Sequence, residues 1–488
     1  MIFNSLEFAI FFVIVTVLFF MVQHKYRWAL LLSASCFFYM FFKPIYIFIL
    51  FFTIVIDYFA GIYLEITQEL HKKKMLLLAS LIANIGILMI FKYYNFIAIN
   101  FNDLFIISNV NHKLPLLQIL LPIGLSFHTF QAMSYTIEVY RGNQKAEKHF
   151  GIYSLYVMFY PQLVAGPIER PQNVLHQFHE VKKFDYQNMK EGLIQITWGL
   201  IKKVVIADRL SLFVNEAYGD IHSYTGIPLI IVIIFFSFQI FCDFSGYSDI
   251  ALGSAKCMGY HLMTNFNKPY MAISLAEFWK RWHISLSTWF RDYLYIPLGG
   301  NRVSSLMNYR NLLIVFLLSG LWHGANWTFI IWGLFHGVYL IIESIVKKVT
   351  NNRSWKKGFL YKVVNRIYVF CLVSFAWIFF RAQNFSTAIY ILKNTFKNVF
   401  SQIPPIIRND NNIRSKLLYL HQPSADFFIA IISIISLISI HYYMKDKRFY
   451  QIVNVKNKFI RWSIYYLMIF IFILFGVFNK SEFIYFQF

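Results

Sequence analysis

Charged residues are scarce in this sequence: Asp, Glu, Lys and Arg together make up 14% of its 488 residues. A soluble globular domain carries about 25% charged residues and is about half apolar. Here apolar residues reach 58% and aromatic residues 20%, and the mean hydropathy is +0.53. Because the apolar residues come in long blocks, the composition excludes an ordinary soluble protein and predicts a polytopic integral membrane protein.

Several kinds of site are also missing from the sequence. The cysteines form no CxxC pair, so they are expected to be buried apolar side chains. They are Cys36, Cys242, Cys257 and Cys371. No zinc-ligand spacing is present, and His176 and His179 lie in a polar loop without suitable partners, so we expect no bound metal. No glycine-rich phosphate-binding loop precedes a helix, and we expect no bound cofactor.

Acidic residues are outnumbered, with 23 Asp and Glu against 45 Lys and Arg and a formal net charge of +22. No basic helix face or aromatic stacking platform is present, so we do not expect nucleic-acid binding. Lys and Arg instead cluster between apolar blocks, at residues 24–27, 72–74, 347–366 and 445–461. The positive-inside rule places these clusters in the cytoplasm. Both termini are then expected outside, in the periplasm of an inner-membrane protein, with 383–426 as the main external loop.

The apolar blocks predict the membrane spans. The N-terminus lacks a basic n-region and a small-residue cleavage site, which predicts a retained first span. We expect about eleven transmembrane helices in all, since each needs about 20 apolar residues. The stretches 115–136 and 150–166 are among the candidates. Pro161 and Gly166 interrupt the second stretch, so it is a candidate re-entrant segment, of the kind tolerated only where protein or a cavity shields the backbone.

No internal repeat and no Pro- or Ser-rich linker divides the chain. Residues 1–488 are therefore predicted to form one membrane domain, of which 479–488 are an external tail. The predicted fold class is an all-α integral membrane protein, in which re-entrant and amphipathic interfacial helices accompany the transmembrane helices.

Apolar residues in the segment 274–293 recur at i, i+3, i+4 and i+7. They are Leu275, Phe278, Trp279, Trp282, Leu286, Trp289, Phe290 and Tyr293. The pattern predicts one amphipathic helix with aromatic residues at the depth of the membrane interface. At about 100° per residue, His283 lies at the edge of the apolar stripe. There it could face a polar cavity, or it could be an incidental residue of a surface anchor.

Two similar tetrapeptides, Leu-Trp-His-Gly and Leu-Phe-His-Gly, place His323 and His336 between glycines. Glycines four residues apart let two helices approach closely in a membrane. An ionisable residue at membrane depth is costly and is therefore a functional candidate, and histidine is a natural general base near neutral pH. An interhelical hydrogen bond is the alternative role. The spacing does not choose between the two histidines.

Acidic residues at membrane depth are few. Asp243 and Asp249 lie in the sequence FCDFSGYSDIALG, where an apolar block ends. They could orient a histidine or line a substrate path, and they could equally cap a helix terminus. Asp57 and Glu138 are isolated acids and are expected to be structural.

Longer motifs now point to a family. Residues 277–302, EFWKRWHISLSTWFRDYLYIPLGGNR, and 319–337, SGLWHGANWTFIIWGLFHG, resemble the membrane-bound O-acyltransferase (MBOAT) family, and more narrowly its bacterial branch of alginate and peptidoglycan O-acetyltransferases. The segments 160–171, 243–253 and 482–488 (EFIYFQF) are similar to the same branch. The resemblance implies an acyltransferase with a polytopic helical fold around a tunnel.

The resemblance also ranks the candidate site residues. His323 matches the family histidine of the Trp-His-Gly motif and is expected to be the general base, with Trp322 and Asn326 as supporting candidates. His283 matches a second family histidine, in Arg-Trp-His, and is expected to assist the base or position the thioester near the cytoplasmic mouth. His336 fits neither motif and ranks third, as a supporting candidate with Asp243 and Asp249. The candidate residues for binding the phosphates of the donor are Lys280, Arg281 and Arg291, although positive-inside bias alone could explain them.

In this branch the resemblance implies an acetyl relay across the membrane. Acetyl-CoA would be the cytoplasmic donor, and an external acetyltransferase of the SGNH type would be the partner that modifies a polysaccharide. A related system has a short C-terminal motif with a tyrosine, so Tyr485 is the candidate acyl relay. Its phenol has a pKa of about 10 and would need a base such as His323. The alternative is that the tail is an aromatic interfacial anchor.

Other functions remain open at this point. Peptidoglycan is favoured as the final acceptor because abundant Lys, Asn, Ile and Phe indicate an AT-rich genome, whereas alginate producers are associated with GC-rich ones. Alginate or another exopolysaccharide is the first alternative. Teichoic-acid D-alanylation is the second, although the PLGGNR segment and the C-terminal tail favour the acetyltransferases. A membrane transporter would be favoured by inverted repeats with paired broken helices, which the sequence does not show. A structural scaffold is a further alternative.

Overall fold

The chain is described by a computed structural model that covers residues 1–164, 166–350, 358–408, 410–445, 447–478 and 483–484. These residues form helices and connecting segments, with no strand among them. The predicted all-α membrane fold is therefore confirmed. Two compact units can be distinguished along the chain, one of residues 1–196 with 250–264 and the other of residues 197–249 with 265–488. The expectation of a single domain stays a prediction.

The first unit begins with the N-terminal helices. Its helices are α1 (Leu6–Met21), α2 (His24–Met40), α3 (Ile47–Ile66), α4 (Leu70–Leu88), α5 (Tyr94–Ile107), α6 (Leu125–Tyr140), α7 (Phe150–Met158), α8 (Tyr160–Leu163), α9 (Pro171–Val174) and most of α10 (Tyr186–Leu200). A π-helical turn, Met89–Tyr93, joins α4 to α5, and 3-10 turns lie at Pro44–Tyr46 and Leu175–Phe178. Asp57 is buried on α3, where Ser80 and Asn84 of α4 donate hydrogen bonds to it. This agrees with a structural role.

The second unit holds both candidate histidine motifs. Its helices are α11 (Asp208–Gly219), most of α12 (Ile227–Cys257), α13 (Leu275–Trp279), α14 (Ile284–Phe290), α15 (Ser305–His323), α16 (Trp327–Val349), α17 (Phe359–Arg381), α18 (Phe385–Asn394), α19 (Val399–Ile407), α20 (Asn411–Leu417), α21 (Ser424–Met444), α22 (Phe449–Asn454) and α23 (Lys458–Phe475). π-helical turns lie at Ile201–Ala207 and Arg291–Tyr295, and 3-10 turns at Ile221–Ser223 and Pro269–Met271. The expected external loop, 383–426, is therefore largely helical.

Within the described residues, 7 helices are long and apolar enough to cross a bilayer. They are Pro44–Ile66, Leu70–Ile107, Ile227–Cys257, Trp327–Val349, Phe359–Arg381, Ser424–Met444 and Lys458–Phe475. Further apolar helices such as α1 are shorter. Many of their large apolar side chains point outward, as the lipid-facing surface of a membrane protein requires. The chain is thus a multi-pass membrane protein, and about eleven spans remains the sequence-based expectation.

The predicted span 115–136 is wrong in its first half. The helix α6 begins only at Leu125, after an irregular segment. Pro122 has no backbone N–H to continue a helix. Gly124 adopts a left-handed conformation, with φ of 76°, before the helix starts. By contrast, the interruption expected in 150–166 is confirmed, because α7 ends at Met158 and a separate short helix follows.

The helices α15 and α16 form a tight antiparallel hairpin. The side chain of Asn326 caps α16 by accepting a hydrogen bond from the backbone N–H of Thr328, at 3.0 Å. A Cβ atom added at Gly320 would collide with the backbone oxygen of Phe329, and one at Gly333 would collide with that of Phe316. The close approach predicted from the glycine spacing is therefore confirmed.

Candidate active site

His323 is the last residue of α15 and is buried. The helix stops there because Gly324 continues in an extended conformation, with φ of −160°. The imidazole packs edge-on against the rings of Trp322 and Trp332, each with centroids 5.0 Å away, and against Phe380 at 5.3 Å. Since these rings come from α15, α16 and α17, helix packing fixes the direction in which the imidazole points.

The segment 274–293 is not one continuous helix, so that prediction is wrong. The helix α13 ends at Trp279, and α14 starts only after His283, which has the left-handed angles φ 41° and ψ 55°. The aromatic stripe itself is correctly predicted, because Phe278, Trp282 and Leu286 are buried. Directly after the break, at the start of α14, the side chain of Asn265 binds the backbone N–H of Ser285.

Asn265 defines the chemical state of His283. The side-chain oxygen of Asn265 accepts hydrogen bonds from the backbone N–H of Ser285 at 3.2 Å and from its hydroxyl at 2.9 Å. The backbone N–H can only donate, so this atom must be the amide oxygen. The same oxygen lies 3.1 Å from Nδ1 of His283. Nδ1 therefore carries the proton in the neutral ring, and Nε2 carries the lone pair.

Burial also favours a neutral His283. The residue has no exposed surface. It lies outside the identified membrane spans, between Ile227–Cys257 and Trp327–Val349 in the sequence. Loss of hydration disfavours the charged imidazolium and lowers the pKa of His283 to about 3. A neutral ring with its lone pair on a defined nitrogen can accept a proton or a hydrogen bond.

The structure brings the two histidines of the family motifs together. The ring centroids of His283 and His323 are 6.4 Å apart. Trp322 lies beside both, with centroids 6.0 Å from His283 and 5.0 Å from His323. Two buried imidazoles held side by side among aromatic rings can move a proton and polarise a bound carbonyl group, which is the chemistry of acyl transfer.

His336 lies elsewhere on α16 and is also fully buried. Trp279 and Trp332 pack edge-on against it, each with centroids 4.9 Å away. Within the described part of the chain, neither of its ring nitrogens has a hydrogen-bond partner. It therefore makes no interhelical hydrogen bond there, and Trp332 links it to His323 by packing alone.

Asp243 and Asp249 lie inside α12, which continues to Cys257, so neither residue caps a helix terminus. Asp249 forms an ion pair with Lys202 at 2.5 Å. The two oxygens of Asp243 contact the ammonium group of Lys203, at 2.7 Å, and the backbone N–H of Ile484, also at 2.7 Å. Asp243 thus binds a lysine and the C-terminal segment rather than a histidine.

The candidate donor-binding residues lie at the surface. Lys280 is exposed. Arg281 forms a two-pronged ion pair with Glu277 at 2.7 Å, and Arg291 pairs with Asp292, also at 2.7 Å. These carboxylates partly neutralise both guanidinium groups, so Lys280 is the strongest cation of the set for attracting a phosphate.

Part of the predicted tail is buried in the second unit. Phe483 and Ile484 have 0% and 2% of their surface exposed. The ring of Phe483 stacks on Tyr247 with centroids 4.3 Å apart and contacts Phe244 at 5.6 Å. Phe244 in turn packs edge-on against His283 at 4.7 Å. Tyr485, the relay candidate, lies outside the described residues, and it follows Ile484 directly in the sequence.

Sequence reasoning missed three polar residues of this region. Lys202 and Lys203 are buried within an apolar stretch, and lysines at such depth are themselves a signal of function or pairing. Asn265 gave no such signal, because its role depends on a contact with His283, 18 residues further along the chain. Among the described residues, no group of His, Cys, Asp and Glu is arranged to hold a metal ion.

The chain is similar to known proteins over most of its length. The model of the MBOAT (membrane-bound O-acyltransferase) family matches residues 148–382, which include both histidines. A peptidoglycan O-acetyltransferase of Helicobacter pylori is 37% identical over 389 residues, which cover 74% of this chain and 72% of the relative. A probable alginate O-acetylase of Pseudomonas aeruginosa is 38% identical over 381 residues, covering 76% of this chain and 70% of that protein.

A relative with lower identity is named for the transfer of a D-alanyl group instead of an acetyl group. A teichoic acid D-alanyltransferase of Streptococcus thermophilus is 34% identical over 251 residues, which cover 48% of this chain and 60% of that protein. The extent and identity of the first two matches leave no doubt about the family. This chain belongs to the membrane-bound O-acyltransferase family and is a multi-pass membrane acyltransferase.

Proposed function

We propose that this chain takes an acetyl group from cytoplasmic acetyl-CoA and passes it across the inner membrane to an external acetyltransferase of the SGNH type. That partner then O-acetylates a cell-wall polysaccharide. The observation that carries the proposal is the buried pair of His283 and His323, 6.4 Å apart, with the C-terminal segment packed on the phenylalanine beside them. Both chain termini are external in this proposal.

His323 acts as the general base. It removes the proton from the phenol of Tyr485, and the phenolate oxygen attacks the carbonyl carbon of the acetyl thioester. The carbon–sulfur bond breaks, and the coenzyme A thiolate leaves with the proton that His323 had taken. The product is a phenyl ester on Tyr485, which a hydroxyl group of the external partner can attack in turn.

His283 assists from the neighbouring position. Its proton lies on Nδ1 and bonds to Asn265, so its Nε2 lone pair can accept a hydrogen bond from the thioester's coenzyme A portion or from the acceptor. Lys280 supplies the charge that attracts the donor's phosphates, with Arg281 and Arg291 as weaker contributors because each is paired with a carboxylate.

Peptidoglycan is the favoured final acceptor. One relative is named a peptidoglycan O-acetyltransferase and another a probable alginate O-acetylase, at nearly equal identity, so similarity does not separate them. The abundance of Lys, Asn, Ile and Phe indicates an AT-rich genome, which favours peptidoglycan. Mass analysis of the cell-wall glycan from a deletion strain tests this choice: loss of its O-acetyl groups supports it, and unchanged acetylation overturns it.

A second candidate function is transfer of a D-alanyl group, because one relative is named a teichoic acid D-alanyltransferase. The match covers 48% of this chain, against 74% for the peptidoglycan relative. Supplying the purified chain with labelled acetyl-CoA in one sample and a labelled D-alanyl thioester in another separates the two. We expect labelling from acetyl-CoA alone.

The acyl relay is tested by locating the label. Full-length protein in lipid nanodiscs is incubated with labelled acetyl-CoA, and the C-terminal peptide is analysed by mass spectrometry. We expect one acetyl group on Tyr485 in the wild type. The Tyr485→Phe variant keeps the aromatic ring and lacks the hydroxyl group, so it should carry no acetyl group and should fail to supply the partner. Wild-type transfer by this variant would exclude the relay.

A further inference from the structure

Three charged side chains are buried together in the second unit. They are Lys203, Asp208 and Asp243, each no more than 3% exposed. The ammonium group of Lys203 lies 2.7 Å from a carboxylate oxygen of Asp208 and 2.7 Å from one of Asp243. Burying charges is costly unless they are paired and hydrogen-bonded. Each of these three side chains therefore depends on the contacts that it makes inside the protein.

The cluster is assembled by a close helix contact. Lys203 lies in the π-helical turn Ile201–Ala207, and Asp243 lies on α12. A Cβ atom added at Gly246 would lie 2.8 Å from the backbone oxygen of Gly199 and 3.1 Å from the backbone nitrogen of Lys203. The glycine of the sequence DFSGYSD therefore lets α12 lie against the backbone that carries the lysine.

The second oxygen of Asp243 is occupied by the C-terminal segment. The backbone N–H of Ile484 donates a hydrogen bond to it at 2.7 Å. Phe483 stacks on Tyr247, one turn beyond Asp243 on the same helix, with centroids 4.3 Å apart. A hydrogen bond to a carboxylate is about twice as strong as one between neutral groups. Asp243 and Tyr247 together thus form a receptor for one amide and one aromatic ring.

Two further hydrogen bonds are made by residues that precede the segment in the sequence, Phe475 and Val477. The guanidinium of Arg209 donates a hydrogen bond to the backbone oxygen of Phe475, at the end of α23, at 2.8 Å. The backbone N–H of Val477 donates to the oxygen of Val204 at 3.0 Å. The chain that leaves α23 is therefore bound to the same stretch, 204–209, that flanks Lys203.

We propose that Asp243, held by Lys203, is a positioning residue that fixes the register of the C-terminal segment at Ile484, the residue that directly precedes the proposed acyl acceptor in the sequence. The assignment of residue 485 as the acyl acceptor rests on the function proposed above. The anchoring of Ile484 by Asp243 does not depend on it. A hydrogen bond to a backbone amide fixes position along a peptide whatever the side chains are, which is what a register requires.

The test compares two matched variants of the full-length chain. Asp243→Asn and Asp208→Asn each remove one of the two carboxylate charges that pair with Lys203. Of these two carboxylates, Asp243 is the one that accepts the described hydrogen bond from Ile484. The readout is hydrogen exchange at the amide of Ile484, resolved by mass spectrometry on protein in nanodiscs without any acyl donor. We expect exchange about 5- to 12-fold faster in Asp243→Asn, because the amide oxygen can still accept the hydrogen bond but without the charge that makes the carboxylate bond about twice as strong.

Asp208→Asn should leave that exchange rate within about threefold of the wild type, because the bond to Ile484 remains. Equal acceleration in both variants would mean that the cluster only supports the fold, and unchanged exchange in Asp243→Asn would mean that the carboxylate does not hold the segment. Either result overturns the inference. Slow amide exchange in peptides from α12 and α23 serves as the internal check that both variants are folded.

Acetyl transfer to residue 485 is measured on the same nanodisc preparations after labelled acetyl-CoA is added. Faster exchange together with slower transfer in Asp243→Asn supports the positioning role. Faster exchange with undiminished partner supply overturns the relay through Tyr485 and leaves the anchoring in place. Lost transfer with unchanged exchange overturns the anchoring and leaves the relay in place. The two proposals therefore fail in different measurements.

Discussion

His283 owes its properties to a single amide side chain. Asn265 accepts the hydrogen bond from its Nδ1 and binds the backbone and hydroxyl of Ser285 with the same oxygen. This one atom binds the first turn of α14, holds the ring of His283 in place and defines which ring nitrogen carries the lone pair. The left-handed backbone of His283 is the local cost of that arrangement, since such angles are uncommon outside glycine.

A carboxylate in place of the amide should shift the pH dependence of acyl transfer. In Asn265→Asp the negative charge lies against Nδ1, stabilises the imidazolium and raises the pKa of His283 from its lowered value of about 3. A protonated ring has no lone pair, so activity should fall as the pH drops through the raised pKa. We expect the acid limb of the pH–rate profile to move to higher pH by about one to three units.

The control is Asn384→Asp, at the N-cap of α18, where the side chain accepts a hydrogen bond from Thr387 and an aspartate caps as well as asparagine. Its pH–rate profile should match that of the wild type. An unshifted acid limb in Asn265→Asp would show that the protonation state of His283 does not limit the reaction.

His323→Ala should abolish most acyl transfer without disturbing insertion. A general base contributes roughly 10²- to 10⁴-fold to a rate, and we expect a loss in that range, larger than for His283→Ala. Transfer of labelled acetyl groups measures it, with accumulation in the membrane and the thermal unfolding temperature as controls. A folded His323→Ala chain with wild-type transfer would exclude the base and would reopen the transporter and scaffold alternatives.

The hairpin of α15 and α16 is the element that builds the site. Its glycines allow backbone contact between the helices, so that Trp332 of α16 reaches the ring of His323 at the end of α15. In a membrane, where lipid tails are as apolar as leucine, such packing rather than the hydrophobic effect holds helices together. Both stability and activity should therefore depend on these glycines.

Gly333→Ala should destabilise the protein, because the added Cβ would collide with the backbone oxygen of Phe316. Overpacking of this kind costs about 1–3 kcal/mol, and the shift of the ring of Trp332 should reduce transfer as well. Unfolding temperature in detergent, followed by size-exclusion chromatography, measures the first effect. The control is Gly86→Ala on α4, where nothing lies within 4 Å of the new Cβ. Equal unfolding temperatures for the two variants would contradict the packing argument.

At the scale of the whole molecule, the proposed orientation in the membrane rests on the positions of the basic clusters relative to the long helices. The helix Leu70–Ile107 has 38 residues and would be about 57 Å long at 1.5 Å per residue, so it can carry its two ends to opposite sides of the bilayer. Lys347 and Lys348 lie at the end of α16 remote from the hairpin turn. In the proposed orientation, the positive-inside rule puts these lysines in the cytoplasm and the turn beside His323 toward the external side.

Cysteine labelling tests this orientation. In a background without the native cysteines, Lys74→Cys and Lys113→Cys place exposed thiols near the two ends of Leu70–Ile107. We expect an impermeant thiol reagent to label Lys113→Cys in intact spheroplasts and Lys74→Cys only after permeabilisation. The reverse pattern would invert the proposed topology and would place both termini in the cytoplasm.

The sequence-based predictions succeeded where local pattern decides the structure. Glycine spacing predicted the contact between α15 and α16, and the proline in 150–166 predicted its interruption. They failed where residues distant in the sequence are the partners. His283 bonds to Asn265 at the break between α13 and α14, and Asp243 binds Lys203 and Ile484. Periodicity describes one helix at a time and carries no information on hydrogen bonds from elsewhere in the chain. The roles expected of His283 and His323 were inferred from the resemblance to the family and not from periodicity.

The buried position of Phe483 and Ile484 has a kinetic consequence. An acceptor carried on the same polypeptide is present at one copy per active site, and it cannot be exchanged for a fresh one by diffusion. Without the external partner, the proposed relay should therefore give a single burst of acetyl incorporation that levels off at about one equivalent per chain, as covalent intermediates do. Steady turnover would begin only when the partner is added, so the partner sets the flux and idle chains consume no further acetyl-CoA.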